Sequence, residues 1–155
     1  MVASISKADW ENFRAVGRVP PSIREVVLQS WKRSSRLATA SPKHAPMLAP
    51  DDLHTTRIHA RRLRQAAHAA LSKADFLLRQ SGNMMLLCDQ DCVVLDAAGD
   101  SDIIARGREN HLHLGGKWSE SAIGTNAIGT AIQLGRSVQV DGPEHFCEEL
   151  QRWNC

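Results

Sequence analysis

No run of eighteen apolar residues occurs anywhere in the 155-residue chain, which excludes a transmembrane helix and predicts no membrane partner. The first nine residues include Lys7 and Asp9 and lack the apolar core of a signal peptide, so a cytoplasmic protein is expected. Six prolines and ten glycines are too few for a fibrous or disordered chain. Four cysteines without a secretory context do not make a disulfide framework. Cys88, Cys92, Cys147 and Cys155 read as buried, reduced thiols, and Cys88 with Cys92 lies in an apolar stretch unsuited to a zinc knuckle. What remains is an ordinary globular composition, 43% hydrophobic and 23% charged, long enough for one domain with a helical lead-in.

The formal charge of +2 conceals an asymmetry. Residues 1–80 carry fourteen Lys and Arg against six Asp and Glu, and residues 81–155 carry five against eleven, so a basic first half precedes an acidic second half. A basic patch attracts nucleic acid or another anionic surface. The plainer alternative is that the two halves pair with each other or with a partner subunit.

Pro20-Pro21-Ser22-Ile23-Arg24-Glu25 predicts a helix start with Ser22 and Glu25 as a capping box, followed by an apolar stripe of Ile23, Val26, Val27 and Trp31. Three prolines in residues 42–50 mark a linker, giving a helical segment and linker over 1–50 ahead of a domain over 51–155. Residues 51–80 read as one long helix with an alanine-rich face that includes Leu53, Ala60, Leu63, Ala67, Ala70, Ala74, Leu77 and Leu78. Met84–Cys88 and Cys92–Asp96, separated by Asp89-Gln90-Asp91, read as an antiparallel hairpin. Residues 102–113 suit a helix, and Ser137–Asp141 alternates as a short strand should. Helices first, then hairpin and strand, give an α+β fold rather than repeated βαβ units.

Several constellations point to chemistry without completing it. Arg57, His59, Arg61, Arg62, Arg64 and His68 crowd one helix, but no short recognition helix follows. Gly124 and Gly129 are spaced as in a phosphate loop, yet Thr130 stands where its lysine belongs. His111, His113, His145 and Cys147 lack a zinc spacing, and Ser119 and Ser121 lack a nucleophile elbow. No catalytic residues, metal or cofactor are expected. The run from Gly116 to Ile132 combines Trp118, Glu120, Thr125 and Asn126 with many small residues; it could line a ligand cleft or let a helix pack closely on a sheet.

Trp118-Ser119-Glu120 with Gly124-Thr125-Asn126-Ala127-Ile128-Gly129-Thr130-Ala131, then Val138–Phe146 and Trp153-Asn154-Cys155, resembles the N-terminal sensory region of bacterial sigma-54-dependent transcriptional activators of acetoin, glycerol and alcohol catabolism. Ser30-Trp31-Lys32-Arg33-Ser34 resembles that family's first helix, and Leu86–Asp89 with Val94–Asp96 and Gly99-Asp100 its hairpin. The resemblance covers about residues 22–155. It implies a GAF-like antiparallel sheet, incomplete at the C-terminus, behind a helical lead-in. It further implies a ligand-sensing regulatory domain rather than an enzyme, with a small-molecule effector held by Trp118, Ser119, Glu120, Gly124, Thr125, Asn126 and His145; the alanine-rich face over 51–80 points separately to a homodimer. DNA, ATP and sigma-54 polymerase would be met only through parts of a parent protein lying beyond Cys155. Rival readings are a ligand-free dimerisation or interaction module, and a metal or redox sensor using His145 and Cys147. Cys92 departs from the family, which has glycine there. A sheet lacking later strands would leave Leu86, Val94 and Val138 short of cover, so a marginally stable or aggregation-prone chain is expected.

Overall fold

The computed structural model describes residues 5–36 and 42–155. In chain order it contains helices α1 (Lys7–Val16), α2 (Glu25–Ser34), α3 (Pro50–His59) and α4 (Arg61–Leu77), then strands β1 (Met84–Cys88) and β2 (Val94–Gly99). Helices α5 (Ser101–Arg108), α6 (Glu120–Ile123) and α7 (Ala127–Leu134) follow, with single 3-10 turns at Gly142–Glu144 and Glu148–Leu150. The class is α+β, as expected. The residues group into two bodies, one spanning 44–118 and the other combining the described residues before 44 with 119–155.

In the body formed by the chain's two ends, α1 begins on a capping box that sequence reading missed. Ser6 Oγ accepts from the Asp9 amide at 3.2 Å, while the Asp9 carboxylate accepts from the Ser6 amide at 3.0 Å. The box expected at Ser22 and Glu25 does not form. Pro21 and Ser22 form a turn closed by Ile23 N–H on Pro20 O, so Ser22 lies in that turn, and α2 starts after Arg24 with no side-chain cap. Trp10 and Phe13 of α1 pack with Val27, Leu28 and Trp31 of α2 and with Phe146, the Phe13 and Trp31 rings lying 4.9 Å apart. Both indoles spend their N–H on carbonyls of one segment, Trp10 on Phe146 O at 3.1 Å and Trp31 on Glu144 O at 2.7 Å. The strand expected over 137–141 is absent: Val140 and Cys155 exchange two backbone bonds and Asp141 bridges Asn154, but no ladder extends from them. Val140 is buried and Val138 half-buried, so the alternation does set an inward face, but residues 135–139 have no pairing segment alongside to make a strand of it.

In the other body, residues 44–48 are held rather than serving as a free linker. Ala45 is buried and bonds Asn110 O, Leu48 bonds Gly115 O, and Met47 bridges Gly116. The single helix expected over 51–80 is two, interrupted at Ala60, where ψ opens to 11°. Helix α4 lies against both strands through Arg64, Ala67, Leu71, Ala74 and Leu78, the less exposed positions, whereas Leu63, Ala70 and Leu77 of the expected face are exposed. Strand β1 pairs antiparallel with β2, from Met84 opposite Gly99 to Cys88 opposite Val94, with an irregularity between Leu87 and Cys88. The second strand runs to Gly99 rather than stopping at Asp96, and its Val94 and Leu95 are fully buried on opposite faces. Asp89 shapes the turn, its Oδ1 accepting from the amides of Asp91 and Val93 at 2.9 Å. Cys92 adopts a left-handed backbone, φ 62°, the conformation that a glycine takes without strain. Among the described residues the sheet has these two strands. All four cysteines are free, and Cys155, contrary to expectation, is exposed.

Candidate functional site

Glu120, the first residue of α6, is buried against α2. Its carboxylate takes four hydrogen bonds. Arg33 reaches Oε2 through Nε at 2.7 Å and Oε1 through Nη2 at 2.8 Å, a bidentate fork. Ser30 and Thr130 hydroxyls meet Oε1 at 2.6 and 2.7 Å. Each hydroxyl has one proton, so Ser30, donating to the carboxylate, accepts from Thr125 at 2.7 Å, and Thr125 in turn accepts from Ser34 at 3.1 Å. Burial pushes the Glu120 carboxyl up, but the bonds from Arg33, Ser30 and Thr130 and the guanidinium charge outweigh it and hold the group below its ordinary value. The result is an ionised, water-poor cluster that ties α2 to α6 and α7.

The loop between α6 and α7 is shaped for close approach. Gly124 has φ 81°, and a Cβ there would lie 2.9 Å from Phe146 Cβ, so only glycine lets the two segments meet. Asn126 caps α7, its Oδ1 accepting from Gly129 N–H while its amide donates to Gly124 O. The Phe146 amide bonds Thr125 O at 3.2 Å. His145 is buried and its Nδ1 lies 3.0 Å from Gly142 O; a carbonyl only accepts, so Nδ1 carries the proton. Burial lowers the imidazole pKa, against the opposing pull of that bond and of Glu144 and Asp141, leaving the ring neutral. Glu144 accepts from Arg24 Nε at 2.9 Å and forms a second, closer ion-pair contact with Arg24 Nη2.

Of the residues singled out in the sequence, Glu120, Gly124, Thr125, Asn126 and His145 all fall in the body built from the chain's ends, as does Ser119, whose hydroxyl lies 3.0 Å from that of Ser121. Trp118 is the last residue of the hairpin body, where it is buried with its indole N–H on His111 O at 3.2 Å. His111 and His113 belong to that same body, His111 beside His44 at 5.2 Å between ring centroids. Among the described residues no group of three or more His, Cys, Asp or Glu is arranged to hold a metal. Cys147 donates its thiol proton to Pro42 O at 2.9 Å, and burial pushes that thiol up. Sequence reading missed the roles of Ser30, Arg33, Ser34 and Thr130. A usable signal was present in α2, where two serines four residues apart share the face of Val27 and Trp31 and need a buried polar partner.

The MimR N-terminal domain family matches residues 4–155. The acetoin dehydrogenase operon transcriptional activator AcoR of Bacillus subtilis is 29% identical over 150 residues, 94% of this chain and 25% of that protein. The propane 2-monooxygenase operon transcriptional activator MimR of Mycolicibacterium smegmatis is 29% identical over 147 residues, 94% of this chain and 24% of its own length. The chain thus spans about a quarter of these relatives, which are named as activators and not as enzymes. The crystal structure of the E. coli DhaR(N)-DhaL complex contains a chain that superposes with a TM-score of 0.79 at 19% identity, over 84% of this chain and 45% of that one, and gives the fold as GAF-like.

Proposed function

The chain belongs to the MimR N-terminal domain family, and from that premise we propose that it is the signal-sensing regulatory part of a sigma-54-dependent transcriptional activator. A small polar metabolite, a diol, hydroxyketone or alcohol, binds at Ser119, Glu120, Gly124, Thr125, Asn126 and His145. The observation that carries this reading is the Glu120 cluster. A buried carboxylate that takes hydroxyl bonds from α2 and α7 is where a hydroxyl-bearing ligand competes for hydrogen bonds, and each bond exchanged changes the hold on the lead-in helix. ATP, DNA and sigma-54 polymerase are engaged by other parts of the parent protein. Calorimetric titration with small diols, hydroxyketones and alcohols tests the site: at least one member binds saturably and raises the melting temperature, and Asn126→Leu removes the response while circular dichroism stays unchanged. Unaltered affinity in that variant moves the pocket elsewhere.

A second reading, an interaction module that works as a homodimer, rests on α4. Leu63, Ala70 and Leu77 recur every seven residues and are exposed, with Phe76 beside them at 72% exposure. Sedimentation equilibrium of the wild type against Leu63→Glu/Leu77→Glu separates the readings: a dimer that the double variant dissociates supports the module.

A further inference from the structure

We propose that the face shared by α3 and α4 is a second binding site, for a small organic anion carrying a carboxylate or phosphate group and an apolar portion. His54, Arg57, Arg61, Arg64 and His68 recur at alternating spacings of three and four, so they fall on one side of the two helices across the interruption at Ala60. They border two adjoining hollows. The larger, about 830 Å³, also has Leu53 and Ile58 in its walls; the smaller, about 400 Å³, shares Arg61 and Arg64 and adds His68 and Asp96.

Three observations separate this face from an ordinary solvated row of cations. Asp96 is the one carboxylate lining either hollow, and its contact with Arg64 Nη2 is long, 3.4 Å. The Nε atoms of Arg57 and Arg64 are closed to solvent and have no hydrogen-bond partner among the described residues, a state that proteins rarely leave uncompensated. Arg61 and Arg64 stand at i, i+3 on α4, where like charges repel, and Arg57 of α3 lines the same hollow. An oxyanion answers all three by its charge. Its oxygens match the paired Nη1–Nη2 end of a guanidinium, its charge offsets both the repulsion and the poorly partnered guanidinium charge, and Leu53 and Ile58 offer contact to a short hydrocarbon part. The phosphate-loop spacing at Gly124 contributes nothing here, because it lies in the other body.

This site is independent of the proposed effector site at Glu120, and its test does not involve that residue. The full chain is titrated with acetate, butyrate and inorganic phosphate at constant ionic strength set with sodium chloride, following melting temperature and heat. The expected result is a saturable rise with phosphate and with butyrate, butyrate binding more tightly than acetate because of its apolar tail. Arg57→Gln and Arg64→Gln weaken binding at least tenfold. Arg64→Lys, which keeps the charge and loses the fork, weakens it as well, while far-UV circular dichroism confirms that each variant folds. The proposal is overturned if the three anions do no more than chloride, or if the glutamine variants bind as the wild type does. It is also overturned if a short DNA duplex binds through these arginines while the small anions do not.

Discussion

A carboxylate with four protein hydrogen bonds behaves differently from one facing water, and Glu120 makes the difference measurable. Glu120→Gln leaves Arg33 without its counter-charge and turns one acceptor into a donor aimed at two hydroxyls. Unfolding in urea is expected to show a loss of about 2 kcal/mol, in the range for hydrogen bonds to charged groups. Because the native carboxyl is held low, the unfolded chain takes up the proton first as pH falls below about 4.5, so the wild type loses stability there and the Gln variant loses less. His145 acts in a higher window. Its native pKa lies below the ordinary 6.5, so below that pH the unfolded state binds a proton that the folded state refuses. The melting temperature should drop between pH 7 and 5.5, and His145→Gln should flatten that drop. These polar residues were only partly legible. Glu120, Thr125 and Asn126 stood out in a run of small residues, whereas the partners that Ser30 and Ser34 find lie some ninety residues away in the chain, beyond the reach of local pattern.

At the level of elements, the segment 144–146 is a docking point for two helices, each bringing one indole N–H to one carbonyl. Trp31→Phe keeps the ring contact with Phe13 but strands the Glu144 carbonyl, a cost of about 1–3 kcal/mol by the usual penalty for an unsatisfied buried group; equilibrium denaturation measures it, and a change below a few tenths would show that the bond is replaced locally. The hairpin was legible because apolar runs flank an Asp-rich turn, whereas the left-handed backbone of Cys92 was not, since a cysteine carries no signal for that conformation. Helix α1 was not, since its capping acid is Asp9 rather than Glu and its stripe is short. Residues 51–77 misled for another reason. The alanines gave the right spacing for α4 but not the interruption at Ala60, which no glycine or proline marks.

For the molecule as a whole, the basic and acidic halves meet through three close ion pairs within one body and through a single long one within the other. Lys7 pairs with Glu148, Arg24 with Glu144 and Arg33 with Glu120, each joining a cation of the first half to an acid of the second. Among the described residues, the ion pair that the arginines of α3 and α4 make is the long one from Arg64 to Asp96. The charge imbalance in the sequence thus had two different meanings, and spacing alone could not separate them. Salt should reveal the split. Raising sodium chloride from 0.05 to 0.5 M screens the repulsion between Arg57, Arg61 and Arg64, while the partly buried Arg33–Glu120 pair is screened much less. The melting temperature is therefore expected to rise with salt in the wild type, and to rise less in Arg61→Gln. A fall of equal size in both proteins would assign the salt response to the exposed ion pairs instead.

The hydroxyls above Glu120 also have a direction. Ser34 gives its proton to Thr125, Thr125 to Ser30, and Ser30 to the carboxylate, an order imposed by the one group in the string that cannot donate. Once Glu120 is protonated, or replaced by an amide, the string is free to reverse. The last turn of α2 would then change from offering a proton to receiving one, without a backbone atom moving. In this way the ionisation of one buried side chain is relayed along three hydroxyls to the end of the leading helix.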